Sequence, residues 1–276
     1  MSTTSKQRLD LMLVEMGLAA SREKAKRIIL SGIVRVDGQR VDKSGTFVSP
    51  EAKIFVEEDP VPFVSRGGLK LQKALETFKP PVKDRIYIDV GASTGGFTDC
   101  LLKFGAKKVY SIDVGYGQLA WKLRQDHRVV VMERTNIRDV TGKDLEDTPQ
   151  GAVVDVAFIS LRIVLPVINE ILLPDSHIIS LIKPQFEAGR EKVGRKGVIR
   201  SPEVHREVLN NVLSTANQLD LTLKGLTFSP IKGPKGNIEF LLHLYKGHIG
   251  DERPLVDTVE HIRLIESVVK TAHGQL

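Results

Sequence analysis

The sequence predicts an α/β fold: a doubly wound parallel sheet preceded by a small α+β domain. Three observations predict it. From about residue 84, apolar strand-like runs alternate with helical stretches. A glycine-rich turn, Gly91 to Gly96, follows the first of those runs. Ahead of them lies a segment of different character, with nine Lys/Arg against five Asp/Glu over residues 1–50. One Lys and four acids over residues 51–60, then Pro60 and Pro62, mark the change. The expected division is therefore 1–59, a linker at 60–66, and 67–276.

The first segment reads helix, helix, hairpin. Leu9, Met12, Leu13 and Met16 follow helical spacing and Gly17 ends that helix. Ser21 is a fitting N-cap for a second helix, Arg22 to Leu30, stopped by Ser31-Gly32. Ala25, Ile28 and Ile29 form its apolar stripe, which leaves Arg22, Lys24, Lys26 and Arg27 exposed. Val34 to Val36, a turn at Asp37-Gly38, and Arg40-Val41 make a hairpin. A basic helix beside a basic hairpin can lie along a phosphate backbone.

In the second segment the strands read Ile86–Val90, Lys108–Asp113, Val129–Met132, Ala152–Ile159, His177–Ile182, Leu221–Phe228 and Ile238–Tyr245. Residues 254–273 give a last helix, with Leu255, Val259, Ile262, Ile265 and Val269 on one face. That stripe suits core or dimer packing, which leaves a homodimer open.

Composition narrows the function. Lys+Arg exceed Asp+Glu by 40 to 34, a net +6 that suits a polyanionic partner without requiring one. The longest apolar stretch runs only from Ile163 to Ile168, far short of the ~20 residues of a spanning helix. A single cysteine, Cys100, excludes an internal disulfide and a thiolate metal cluster, and no metal site is expected. Asp10 and Glu15 interrupt the N-terminal apolar run, so it reads as an amphipathic helix and not a signal-peptide core, and the expected location is the cytoplasm.

The glycine-rich turn reads Asp89-Val90-Gly91-Ala92-Ser93-Thr94-Gly95-Gly96-Phe97. Glycines here let a ligand approach the backbone, and the helix that follows offers its N–H groups. Serine at 93 breaks the G-x-G-x-x-G spacing of dinucleotide sites, and no Gly-Lys-Ser/Thr follows as a nucleotide P-loop requires. The loop string resembles the first motif of methyltransferases that use S-adenosylmethionine, and the resemblance implies that Asp113, at the end of the second strand, takes the ribose hydroxyls and that Asn136, after the third, touches the adenine edge.

The residues that can do chemistry narrow further. After the fourth strand, Asp155 stands without the Pro-Pro-aromatic string common to enzymes that methylate base amines. Cys100 lies in the helix after the glycine loop and is expected to face the sheet, a poor place for a nucleophile. An oxygen acceptor instead needs a base to take its proton. A lysine can serve where burial and a second cation favour its neutral form. Lys183 ends the fifth strand in Lys183-Pro184-Gln185-Phe186-Glu187, Lys70 lies in the helix before the first, and Glu239 opens the last.

Several of these strings resemble known families. Residues Arg8 to Val41 resemble the small RNA-binding domain first known in ribosomal small-subunit protein S-four, through the two helices, the Ser-Arg-x-x-Ala start, the Gly-x-Val strand and the Asp-Gly turn. Lys70, Asp155, Lys183 and Glu239, in that order about the loop, resemble the Lys-Asp-Lys-Glu tetrad of the FtsJ-like ribose 2′-O-methyltransferases, which have a Rossmann-like sheet. Over nearly its whole length the chain is similar to the TlyA family, also called haemolysin A. The strings that carry this are Val64 to Leu71, Gly91 to Asp99, Asp113 to Leu119, Thr135 to Arg138, Phe158 to Leu161, Lys183 to Glu187 and Gly233 to Glu239.

The resemblance implies 2′-O-methylation of cytidine in ribosomal RNA, with ribosomal RNA or ribosomal subunits as partner and no membrane. It implies a cofactor site of Gly91, Ser93, Thr94, Gly95, Gly96, Phe97, Asp113, Val114, Asn136 and Asp155. Lys183 is then the general base, Lys70 and Asp155 hold Lys183 and the hydroxyl, and Glu239 orients a lysine. RNA contacts are expected from Arg8, Arg22, Lys24, Lys26, Arg27, Arg35, Arg66, Arg190, Lys192 and Arg195. The loop from Lys183 to Arg200 carries six basic and two acidic residues, and its Gly189, Gly194 and Gly197 suit closure over a substrate. Two other readings stay open: a membrane-active haemolysin, which the sequence supports little, and an RNA-binding protein without catalysis.

Overall fold

A computed structural model describes residues 6–30, 32–56, 62–194, 197–248 and 258–276. It divides into two compact units, Met1–Pro62 and Phe63–Leu276. The expected features at Ser31, Glu57 to Pro60, Arg195 and Pro254-Leu255 lie outside the described residues, as does the side chain of Arg190. Phe63 to Arg66, read as linker in the sequence, belong to the second unit.

In the first unit, β1 (Gln7–Arg8) leads into α1 (Leu9–Glu15), followed by α2 (Arg22–Leu30), β2 (Val34–Val36), β3 (Gln39–Val41), β4 (Phe47–Val48) and β5 (Ile54–Val56). Gly17, at φ +71°, closes the first helix, and the Ser21 hydroxyl accepts from the Lys24 N–H to start the second. Asp37 and Gly38 both have positive φ, as a tight two-residue hairpin turn requires. The sheet order β3-β2-β5 adds a third strand that the sequence does not signal, because three residues carry too little periodicity. Leu9, Leu13, Ala25, Ile29 and Val34 are fully buried at its centre.

Asp10 is also fully buried, an unexpected place for a residue that interrupts an apolar run. Its carboxylate accepts from Arg8 Nε and Nη2 at 2.9 and 3.0 Å and from Arg22 Nε at 3.0 Å. The two guanidiniums, Arg8 foremost, hold the carboxyl well below the usual range. Two arginines expected at an RNA surface thus also tie the start of α1 to the start of α2.

The second unit carries α3 (Gly67–Phe78), β6 (Ile86–Val90), α4 (Gly96–Lys103), β7 (Lys108–Ile112), α5 (Trp121–Arg124), β8 (Val129–Met132), β9 (Gly151–Val154), α6 (Leu161–Ile171), β10 (Ser176–Ile182), α7 (Pro184–Glu187), α8 (Pro202–Gln218), β11 (Leu221–Phe228), β12 (Phe240–Lys246) and α9 (Thr258–Gln275). Its seven strands run β11-β12-β10-β9-β6-β7-β8, parallel except that β12 opposes both its neighbours. The chain winds outward from β6 in one direction through β7 and β8, and from β9 in the other. Adjacent β6 and β9 are therefore the switch point, where α/β sheets open a crevice at the strands' C-terminal ends.

The fourth strand ends at Val154 and not at Ile159. Asp155 still donates its N–H to the Val90 carbonyl at 2.9 Å, but the chain then turns away, and Phe158 has φ +65°, which no strand accommodates. The last helix buries Ile265, Val269 and Ala272 in the main core, whereas Val259 and Ile262 of the expected stripe are exposed.

Because the Asp10 carboxyl is lowered in the folded state, its stabilising effect is complete above the ordinary carboxyl value, ~3.9, and is lost as pH falls below it. Asp10→Asn is expected to reduce stability at neutral pH and to flatten the loss of stability below about pH 4. Thermal unfolding across an acid series reads this, and an unchanged acid profile would remove Asp10 from the linkage.

Candidate active site

Two clefts meet at the switch point. The smaller, about 370 Å³, is lined by Ser65, Arg66, Lys70, Thr94, Lys232 and Glu239 among others. The larger, about 800 Å³, is lined by Ile112, Asp113, Val114, Gln118, Asn136, Phe158 and their neighbours. Both include Gly91, Ser93, Asp155 and Lys183, so these four form the edge between them.

That edge exists because β6 and β9 end side by side. Gly91 has φ +85°, and a Cβ there would stand 2.6 Å from the Asp155 carbonyl oxygen. Only glycine permits this approach. Directly behind the loop, Asp89 is fully buried; its carboxylate accepts from the Thr98 hydroxyl at 2.6 Å, which lies 2.8 Å from the Ser111 hydroxyl. Burial pushes the Asp89 carboxyl up to about 7, and this cluster fastens β6, α4 and β7 together beneath the loop.

Asp113 receives the Ser93 N–H at 2.8 Å and the Gly115 N–H at 2.7 Å, one on each carboxylate oxygen. It is thereby held against the glycine loop, facing the larger cleft, with lone pairs to spare for a ligand. The Asn136 side chain caps the turn that follows it, accepting from the Arg138 N–H at 3.1 Å. Val114 is exposed in the same cleft. Thr94, Gly96 and Phe97, expected beside the cofactor, line the smaller cleft. Gly95 lies buried under Leu119 and Leu123 at the start of α4.

The four charged residues form two ion pairs. Lys183 Nζ stands 2.6 Å from Asp155 Oδ1 on the shared edge. Lys70 Nζ donates to Glu239 Oε2 at 2.5 Å within the smaller cleft, both side chains being buried. The lysine that Glu239 orients is Lys70, 169 residues away, and Asp155 stands against Lys183. Lys183 takes its place because β10 ends at Ile182 and Pro184 starts α7. Glu187, raised by burial, accepts from the Ser160 hydroxyl at 2.5 Å and the Leu161 N–H at 2.8 Å, which ties α7 to α6.

Three features escaped the sequence reading. Lys232 faces the smaller cleft from the turn before β12. Phe158 is 90% exposed at the larger cleft, its ring 4.9 Å from that of Phe186. Glu133 accepts from the N–H groups of Gly117 and Gln118 at 2.9 and 3.1 Å and pairs with Arg124, fixing the loop beyond Asp113. Phe158 opens the string Phe158 to Leu161, Lys232 abuts the string Gly233 to Glu239, and Glu133 stands two residues before the string Thr135 to Arg138, so the available signal was local. Of the expected RNA contacts here, Arg66 lines the smaller cleft, whereas Lys192 pairs with Glu207. Asn237 fixes the far end of the Lys183–Arg200 loop, accepting from the Ile199 N–H at 2.9 Å and donating to the Gly197 carbonyl at 2.8 Å. Cys100 is buried, and burial raises its thiol far above the range of a reactive thiolate.

The FtsJ-like methyltransferase model matches residues 63–246, and the S4 domain model matches residues 7–54. The chain belongs to the FtsJ-like methyltransferase family. It is 53% identical over 270 residues to YqxC of Bacillus subtilis (strain 168), a protein provisionally named an rRNA methyltransferase; the match covers 98% of this chain and 96% of that one. It is 44% identical to the 16S/23S rRNA (cytidine-2′-O)-methyltransferase TlyA of Mycobacterium tuberculosis (strain ATCC 25618 / H37Rv), over 86% of this chain and 89% of that one. A solved structure from Streptococcus thermophilus, provisionally named a hemolysin, is 44% identical, with a TM-score of 0.76 over 99% of this chain and 98% of that one. No described helix of the methyltransferase is long and apolar enough to cross a membrane. Among the described residues no group of three or more His, Cys, Asp or Glu could hold a metal ion.

Glu239→Ala would strand the buried Lys70 ammonium, and breaking such a pair costs about 3–5 kcal/mol. Adding Lys70→Met to that variant should recover part of the loss, because apolar groups then replace both charges. Urea unfolding of the single and double variants measures this; strictly additive losses would argue against a coupled pair.

Proposed function

We propose that this protein transfers a methyl group from S-adenosylmethionine to a ribose 2′-oxygen of ribosomal RNA, with cytidine as the target nucleoside. The shared edge of the two clefts carries this reading. A cofactor in the larger cleft and an acceptor in the smaller one would meet where Lys183 and Asp155 stand. The relatives named for cytidine 2′-O-methylation supply the nucleoside. Such a substrate places the protein's work in the cytoplasm.

The larger cleft fits S-adenosylmethionine on its donor set. The Asp113 carboxylate suits a ribose diol, Asn136 an adenine edge, and Ile112, Val114 and Ile137 an adenine face. Backbone of Gly91 and Ser93 is open to the amino-acid tail. When bound, the cofactor supplies an activated methyl on a cationic sulfur.

The rest is the work of this chain. Lys183, in its neutral form, takes the proton of the 2′-hydroxyl at Nζ. The ammonium that results lies against the Asp155 carboxylate, already 2.6 Å away, so the proton's arrival is stabilised without reorganisation. Lys70, held by Glu239, places a second cation in the acceptor cleft where negative charge develops on oxygen. A positioned base of this kind contributes ~10²–10⁴-fold in rate. Arg66 and Lys232 at the same cleft suit the phosphates flanking the target. The first unit, with Arg22, Lys24, Lys26, Arg27 and Arg35 at its surface, adds affinity for RNA.

Lys183→Ala should abolish methyl transfer and leave calorimetric affinity for S-adenosylmethionine within a few-fold. Asp113→Ala should do the reverse first, weakening that affinity by roughly tenfold or more, the scale of a lost charge-assisted hydrogen bond. RNA carrying 2′-deoxyribose at the target should bind and accept no methyl. Methyl incorporation into that RNA would place the acceptor on the base; a Lys183→Ala enzyme with a tenth of wild-type turnover would move the base elsewhere.

A further inference from the structure

The three-stranded sheet of the first unit has an outer face that its own packing does not explain. In register across β3, β2 and β5 stand Arg40, Arg35 and Phe55. Directly opposed side chains in antiparallel strands share a face and lie roughly 5 Å apart. All three are exposed, Phe55 at 62%, while the neighbouring Val34 is buried in the core on the other face.

Two like charges set directly opposite one another repel, and a phenyl ring in water gains nothing from the fold. Arg40 is nevertheless given a defined place. Gly32, at φ +73°, lies so close under it that a Cβ there would stand 2.0 Å from Arg40 Nη2. The glycine leaves room for the guanidinium to lie along the turn between α2 and β2. Arg35 donates from Nη1 to the Gly38 carbonyl at 3.3 Å. Arg40, Arg35 and Phe55 thus stand side by side on one face, the Arg40 guanidinium toward the turn before β2 and the Arg35 guanidinium toward the turn after it.

We propose that this row is a platform for a single-stranded stretch of RNA, with an unpaired base stacked on Phe55 and the adjoining phosphates met by Arg35 and Arg40. A ring beside cations is the chemistry of single-strand binding: every base has a face to stack, and the backbone is an anion throughout. A duplex keeps its base faces covered and offers only phosphates. The row is separate from the cations at the helix starts, where Arg8 and Arg22 hold Asp10 and Lys26 pairs with Glu23. The proposal rests on RNA as the partner and assigns which part of the first unit reads unpaired nucleotides.

Full-length protein is titrated against a labelled single-stranded oligouridylate and against a perfectly paired RNA duplex, by fluorescence anisotropy. Phe55→Ala and Phe55→Leu are expected to weaken the single strand by roughly tenfold, the scale of one lost base stack, and to leave the duplex unchanged. Phe55→Trp should retain wild-type affinity. Arg35→Gln with Arg40→Gln should lower the slope of log K against log salt by about 0.7 for each lost contact. Wild-type affinity in Phe55→Leu, or equal losses on strand and duplex, removes the platform while leaving RNA as the partner. Binding of neither RNA by the wild type overturns both.

Discussion

The close approach of the Gly91 backbone to the Asp155 carbonyl is the constraint on which the site depends. It sets the ends of β6 and β9 against one another, so the glycine loop and Asp155 leave the sheet at one point. A side chain at position 91 would push them apart and separate the two clefts that now share an edge. The loop has no freedom to retreat. Asp113 holds its Ser93 N–H from one side, and the buried Asp89–Thr98–Ser111 cluster holds β6, α4 and β7 from beneath. A rigid crevice of this kind spares a methyl transfer the cost of bringing its partners into line.

Charge is arranged around that crevice in two pairs, one lysine and one carboxylate in each. Two carboxylates near a lysine favour its ammonium, which works against a base. The structure gives each lysine one carboxylate: Glu239 is committed to Lys70 in a buried pair, and Asp155 alone faces Lys183. Lys183 is the more accessible of the two lysines and stands on the edge both clefts share. In the proposed reaction Asp155 is the partner of the ammonium that Lys183 becomes. The Asp155 carboxylate oxygen stands 2.6 Å from Lys183 Nζ.

Much of this was legible in the residues because the relevant signals are local. The turn at Asp37-Gly38, the cap at Ser21, the alternation of strands and helices and the order Lys70, Asp155, Lys183, Glu239 all follow from short strings. What the residues hid depends on distance in sequence. Asp10 looks like a break in an apolar stripe until Arg22, twelve residues on, closes over it. The Lys70–Glu239 pair spans 169 residues, and no spacing rule predicts which lysine meets which acid. Apolar Val156 to Ile159 continues the pattern of β9, yet the chain leaves the sheet at Asp155 because Phe158 adopts a left-handed conformation. The division of the glycine loop between two clefts was hidden for a similar reason. Thr94 lies in the loop and Phe97 in the first turn of α4, and the cleft they line is formed only once α3 is packed against α4.

In the proposed function, capture and chemistry fall to different residues. None of the paired catalytic candidates belongs to the first unit, and the arginines there serve more than one end. Arg8 and Arg22 neutralise a buried carboxylate while keeping about 36% and 49% of their own side chains in solvent. Such a guanidinium is fixed in direction by its internal partner and still presents N–H groups outward, so a phosphate meets a donor already ordered, and less side-chain entropy is lost on binding. The cations of the smaller cleft work on different terms. Lys70 is buried and paired with Glu239, so it adds little to long-range attraction, and in the proposed reaction it acts only on an oxygen close beside it. On the proposed function, salt should weaken RNA capture by the first unit far more than it weakens the chemical step on RNA already bound.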